Sequence, residues 1–463
     1  MILFNDIDKI LSQWNQNYIG HDVVYMPPTW KNELNIPYTF AYVDSKLTRQ
    51  EYAEFFKICI RNNIPNPRCF TSQTLEYASL FHPSFFYSVK YAENRSNAIE
   101  QYAKGLNNLQ PNHSISATVD IASITYYLQS MVFLSGVTLS AAIVQNRWSL
   151  GTLESKLNRL WQVSALAKAA NIKELIDLQI EDFIFKMALE IHLNPTKALH
   201  QIKLFFSKIL KELVVAIPAQ EQYIKASTLN QAQKIRFGFM EQLKTMLGDN
   251  LQAVILYGSA TNSIKFSDYD LIIIVKDLEK GLQTMAGKSP TYNGLELNMS
   301  IFNHDSFWTY QLASGDNLMD HAICLYGEAK IPHKTPSDLL ARNFSFGFIR
   351  FRQLLGMAAH IDNNITTSDD KRNLLDYFIK IPLNVCKGIQ GCYGNITTNE
   401  EIRAWFIKTL NFDVEKEKAL SRKGNNIDAI SAAVWATQEV MDFYNEQLNL
   451  FSPMYNTPKR NVG

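Results

Sequence analysis

Two apolar strands separated by a polar connection that ends in paired carboxylates constrain this chain more than any other feature. LQAVILY (251–257) runs into GSATNSIKFSDYD (258–270), and LIIIV (271–275) follows at once. LIIIV has no polar position on either of its alternating faces. It therefore predicts an interior strand of a sheet covered by helices on at least one side. Residues 231–247 (QAQKIRFGFMEQLKTML) carry apolar residues at helical spacing and predict one amphipathic helix. Gly248 is its expected terminator, because glycine takes the left-handed conformation without strain. GLELNMSIF (294–302) alternates cleanly and predicts a third strand, and AICLYGEAKI (322–331) a short strand entering a turn at Gly327, with Pro332 closing the domain.

The candidate chemistry sits on these strands. Asp268 and Asp270 are two residues apart at the head of a strand, so alternation sends both carboxylates to the same side. Mg²⁺ prefers carboxylate, water and phosphate oxygens, and paired acids can hold ions that bridge a nucleoside triphosphate and an attacking oxygen. Gly258 and Ser259 follow the first strand, where backbone N–H groups can meet a phosphate that glycine lets approach closely. Glu296 is polar within the alternation of Leu295, Leu297, Met299 and Ile301 and supplies a third acid, to complete a metal site or to accept a proton. Asp305, in the loop after that strand, is a weaker rival.

YGSATNSIKFSDYDLIIIV followed by GLELNMSIF resembles the Gly-Ser, Asp-x-Asp and third-acid signature of the polymerase β-like nucleotidyltransferase superfamily, nearest to its small-molecule and aminoglycoside (antibiotic) group. HAICLYGEAKI resembles the strand that closes that domain. The likeness covers about 231–335, and 336–450 more loosely. It implies that Gly258 and Ser259 hold triphosphate, that Asp268 and Asp270 bind Mg²⁺ (or Mn²⁺), and that Glu296 is the third acid and possible base. Eight residues separate Ser259 from Asp268, and Lys265 among them is a candidate phosphate contact. The implied reaction transfers a nucleoside monophosphate, with ATP as the expected donor, to a hydroxyl of a small-molecule or protein acceptor. A catalytically silent nucleotide-binding module, regulatory or antitoxin-like, is the alternative; glycosyl transfer by an Asp-x-Asp site is more remote.

The fold class expected is α+β: a mixed-sheet nucleotidyltransferase domain at 231–335, between a mostly helical N-terminal domain at 1–230 and a helical domain at 336–450. A disordered tail is expected at 451–463. Residues 1–90, punctuated by six prolines, stay unassigned, and the boundary is placed in the weakly patterned run 216–230. Forty-five Lys plus Arg against 44 Asp plus Glu leave a net charge of +1, which favours a small or protein acceptor over long nucleic acid. Five cysteines without a CxxC pair read as free thiols of a reducing compartment. Asp6, Asp8 and Lys9 interrupt any N-terminal apolar run, so the expected location is cytoplasmic. The uncharged run at 121–146 is long enough to span a bilayer, but its Ser, Thr and Gln content favours a buried helix, and no membrane association is expected. The nine histidines show no metal-ligand spacing. Aromatics around 344–351 read as core; Arg350, Arg352, Lys380 and Lys387 are minor candidates for the cleft. Oligomeric state is not legible.

Overall fold

The computed structural model describes residues 4–14, 23–26, 40–43, 46–64, 67–71, 74, scattered positions from 153 to 167, 173–215, 219–261, 266–361, 369–391 and 398–448. Lys265, the run at 121–146, Cys392 and the tail at 451–463 lie outside the described residues. The chain divides into two compact units, Ile124–Arg342 on one hand and Met1–Ser123 with Asn343–Gly463 on the other. This division cuts across the three consecutive segments expected: N-terminal elements cluster with the C-terminal helices.

Unit Ile124–Arg342 is α+β and holds a six-stranded sheet. Its strands are β4 (Glu221–Lys225), β5 (Leu251–Tyr257), β6 (Asp268–Val275), β7 (Thr291–Tyr292), β8 (Leu295–Phe302) and β9 (Ile323–Pro332), in the order β4-β9-β5-β6-β8-β7. Strands β6 and β8 are parallel and every other neighbouring pair is antiparallel, so the sheet is mixed. Alternation along β6 divides the core. Tyr269, Leu271, Ile273 and Val275 join Phe239, Leu243 and Leu247 on one face. Ile272 and Ile274 join Ile255, Phe302, Phe307 and Leu318 on the other. Each fully buried aliphatic side chain contributes roughly 1.5–3 kcal/mol, so this two-sided burial sets which way the residues at the head of β6 point.

Three details depart from the pattern read in the sequence. The expected helix at 231–247 is two helices, Gln231–Arg236 and Phe239–Leu247. Tyr292 explains the break: its hydroxyl donates to the Ile235 carbonyl at 2.8 Å, and a side chain at Gly238 would collide with it. Strand β4 occupies the expected boundary and pairs with β9. And β9 does not turn at Gly327 but runs through it at φ +66°, where the carbonyl oxygen of Gln252 leaves no room for a Cβ; the register with β5 shifts nearby, between Cys324 and Tyr326. Asn293 and Gly294, both at positive φ, make the two-residue hairpin between β7 and β8 that asparagine–glycine pairs favour.

The other unit contains a three-stranded sheet of β1 (Val23–Met26), β2 (Phe40–Val43) and β3 (Arg68–Thr71), with β1–β2 antiparallel and β2–β3 parallel, in the region left unassigned. Its helix Arg49–Arg61 starts with a capping box of Thr48 and Glu51 and packs on the helix Asn426–Leu448. Between them the buried Tyr52 hydroxyl donates to Gln438 Oε1 at 2.5 Å. Arg49 reaches Glu417 with both terminal nitrogens, at 3.0 and 3.1 Å. Among the described residues no helix is long and apolar enough to cross a membrane, and Cys59, Cys69, Cys324 and Cys386 are free, buried thiols.

Candidate active site

Tyr269 orients the carboxylate pair. Its ring lies among Phe239, Phe266 and Tyr292, with centroids 4.9, 4.9 and 6.4 Å away, and its hydroxyl donates to the Arg236 carbonyl at 3.2 Å. Pinned to one face of the sheet, it leaves Asp268 and Asp270 on the other, both half-buried. Asp268 Oδ1 accepts from the Ser267 hydroxyl at 2.9 Å. Asp270 Oδ1 accepts from Asn298 Nδ2 at 2.8 Å, and Asn298 is its register partner on β8. On its other side Asp270 faces Tyr257, its partner on β5.

Gly258 is required where it stands. Its φ is +75°, and a Cβ there would lie 2.5 Å from Asp270 Oδ2. The Gly-Ser turn therefore packs its backbone directly on the carboxylate. The turn is the 3₁₀ segment Gly258–Thr261, closed by Thr261 Oγ1 donating to the Gly258 carbonyl at 2.8 Å. Arg236 Nη2 donates to the Ala260 carbonyl at 2.7 Å while its guanidinium lies over the Phe266 and Phe237 rings at 4.8 and 5.7 Å. Ser259 is half-buried in this turn.

Charge in this corner is held at a cost. Burial, then the neighbouring Asp268 charge, raise the Asp270 carboxyl above its ordinary range, against the pull of the Asn298 bond. Burial first, and then the charges of Asp270, Asp316 and Asp268, push the Tyr257 phenol up to about 12; a side-chain hydrogen bond with Ser300 acts the other way. Tyr257 is thus a neutral hydroxyl at physiological pH beside two carboxylates. Sequence reasoning missed Tyr257, Asn298 and Ser300. Their signal was available: Asn298 and Ser300 share the alternation phase of Glu296, and Tyr257 directly precedes Gly258.

The structure brings Asp268, Asp270 and Gly258 together, and it sets Glu296 opposite Asp268 in the β6–β8 register. Glu296 is exposed, and among the described residues no three His, Cys, Asp or Glu side chains form a group that could hold a metal ion. The pair itself suits a divalent cation: two hard oxygen donors on one face, one of them disfavoured as an anion by burial and by the other's charge. Asp305 lies at the opposite end of the sheet, in the first turn of the helix His304–Ala313. Arg350, Arg352, Lys380 and Lys387 belong to the other unit, where the Arg350 guanidinium covers the Phe346 and Tyr377 rings. No protein-family model and no curated protein matches the chain.

Proposed function

We propose that residues 231–335, within the unit Ile124–Arg342, form a polymerase β-like nucleotidyltransferase domain. It moves a nucleoside monophosphate, AMP first, from a triphosphate to a hydroxyl of a small-molecule or protein acceptor. One observation carries the reading: a glycine at positive φ presses the half-buried Gly-Ser turn onto Asp270, so that the turn and a same-face carboxylate pair share one corner of a mixed sheet. A surface Asp-x-Asp turn has no need of that contact.

Asp268 and Asp270 would hold Mg²⁺ or Mn²⁺, which when bound supplies charge neutralisation of the phosphates. The chain's own groups do the rest. Gly258 lets backbone N–H groups approach phosphate, and the Ser259 hydroxyl is placed to donate to a phosphate oxygen. Asn298 fixes the Asp270 carboxylate through its 2.8 Å bond. Tyr257, kept protonated, is a donor on the same face. The acceptor oxygen forms a bond to the α-phosphorus, the bond from that phosphorus to the bridging oxygen breaks, and pyrophosphate leaves. Glu296 receives the acceptor proton. Positioning and charge stabilisation dominate such a reaction.

Glu296 stands opposite Asp268 on β8 but is exposed and forms no three-residue metal group with the pair among the described residues, which favours a second reading, in which the corner binds nucleotide without turning it over. Equilibrium dialysis with a non-hydrolysable ATP analogue and Mg²⁺, on wild type and on Asp268→Asn/Asp270→Asn, tests what the two share. Mg²⁺-dependent binding lost in the variant is expected; equal binding by both sinks the nucleotide assignment.

A further inference from the structure

We propose that the far end of the same sheet carries a second ligand site that takes a nucleoside polyphosphate independently of the Asp268–Asp270 corner. A cavity of about 1170 Å³ opens where β6 and β8 end and β5 begins, lined there by Asn250, Lys276 and Asn303. The helix Pro195–Val215 lines it too, with Lys203, Ser207 and Lys211 at four-residue intervals on one face. Lys280, in the helix Leu278–Met285, is the fourth lysine. None of the four lysines forms an ion pair with a described residue.

Four carboxylates line the cavity as well, and three of them sit at helix starts. Asp277 caps Leu278–Met285 by accepting from the Lys280 N–H at 3.0 Å, Glu279 lies in that helix's first turn, and Asp305 in the first turn of His304–Ala313. Asp249 is the fourth. A helix N-terminus is equivalent to roughly +0.5 charge, so two of them with four ammonium groups outweigh four carboxylates by about one unit. The cavity is therefore mildly cationic, with lysines placed around it to meet phosphate while three of the acids stay with the helix starts.

The second half of the ligand is read from Trp308, half-buried in the cavity lining. Lys330 lies over its ring at 4.7 Å and holds the indole, and the base of the proposed ligand would stack on the part of the ring that lines the cavity. The volume suits a nucleotide-sized molecule. Six residues of strand separate Asp270 from Lys276, on the order of 20 Å, so one triphosphate cannot occupy both ends. The site is distinct from the carboxylate corner, and it stands whether or not that corner is catalytic.

The test is calorimetry on the full chain in EDTA, which silences the carboxylate corner, with ATP, inorganic tripolyphosphate and a 20-nucleotide RNA as probes. ATP and tripolyphosphate are expected to bind one site in the wild type and in Asp268→Asn/Asp270→Asn alike. Lys203→Glu/Lys211→Glu, surface changes whose folding circular dichroism checks, should weaken both at least tenfold. Lys203→Gln/Lys211→Gln should weaken them less, and Trp308→Phe should weaken ATP but not tripolyphosphate. No ATP binding in EDTA, binding unchanged in the charge-reversal variant, or preferential binding of the RNA would each overturn the proposal.

Discussion

Replacing Gly258 by alanine separates a turn that merely tolerates glycine from one that presents backbone to a functional carboxylate. At φ +75° an L-residue costs about 1–2 kcal/mol. At 2–4 °C per kcal/mol for a domain of this size, the melting temperature should drop by roughly 2–8 °C. The added Cβ would also lie 2.5 Å from Oδ2 and 3.3 Å from Cγ of Asp270. Ordinary carbon contacts begin near 3.5 Å, so the carboxylate has to move by about 1 Å, and a displacement of that size at a reacting centre costs on the order of 100-fold. Gly287 is the control: its φ is +72°, but no atom lies within 4 Å of the position its Cβ would take. Gly287→Ala should share the stability loss and leave Mg²⁺–nucleotide binding and turnover intact. Thermal melts and binding titrations of the two variants side by side decide the matter. If Gly258→Ala binds nucleotide as tightly as Gly287→Ala, the contact between turn and carboxylate has no functional meaning.

Two further changes probe the other unit. Arg49→Met leaves the buried Glu417 without the guanidinium that reaches both its oxygens, and should cost about 1–3 kcal/mol in urea unfolding. The larger penalty of a fully buried pair is not expected, since Arg49 keeps 39% of its side-chain surface exposed. Burial already raises the Glu417 carboxyl against the pull of Arg49. Without Arg49 the folded-state value climbs further above the unfolded one. The deficit is then full at neutral pH and shrinks as pH falls and Glu417 takes up its proton; a deficit that grows on acidification would contradict this. Tyr52→Phe removes the buried donor to Gln438 and should lower the denaturant midpoint by an equivalent of about 1–3 kcal/mol with m unchanged, whereas no shift would mean that Gln438 finds another partner.

Strands β5, β6 and β8 were legible because their apolar runs serve a sheet with a core on both faces. The same-face placement of Asp268 and Asp270 followed from period-two alternation alone. β4 was not legible: only Ile224 of its five residues is buried, so this edge strand carries almost no hydrophobic signal, and its partner β9 lies about a hundred residues away. The Gly238 break was hidden for a similar reason, because it is imposed by the hydroxyl of Tyr292 on a distant hairpin. Glycine 327 misled in the opposite direction. Its positive φ is real, but it serves the close approach of β9 to the Gln252 carbonyl rather than a turn. At the site, Glu296 was singled out by polarity, yet the parallel register sets Asn298, not Glu296, beside Asp270. Register between parallel strands depends on the crossover that joins them, which no local pattern encodes.

The central claim is that Asp268 and Asp270 support nucleotidyl transfer. The most direct measurement incubates the full chain with each α-labelled nucleoside triphosphate, Mg²⁺ and a cell extract, following pyrophosphate and labelled acceptor, beside Asp268→Asn/Asp270→Asn. Pyrophosphate release with label transferred to an acceptor is expected from the wild type and from no other sample, ATP being the best donor. Equal transfer by the double variant, or tight Mg²⁺-dependent nucleotide binding with no pyrophosphate from any triphosphate, would contradict that claim.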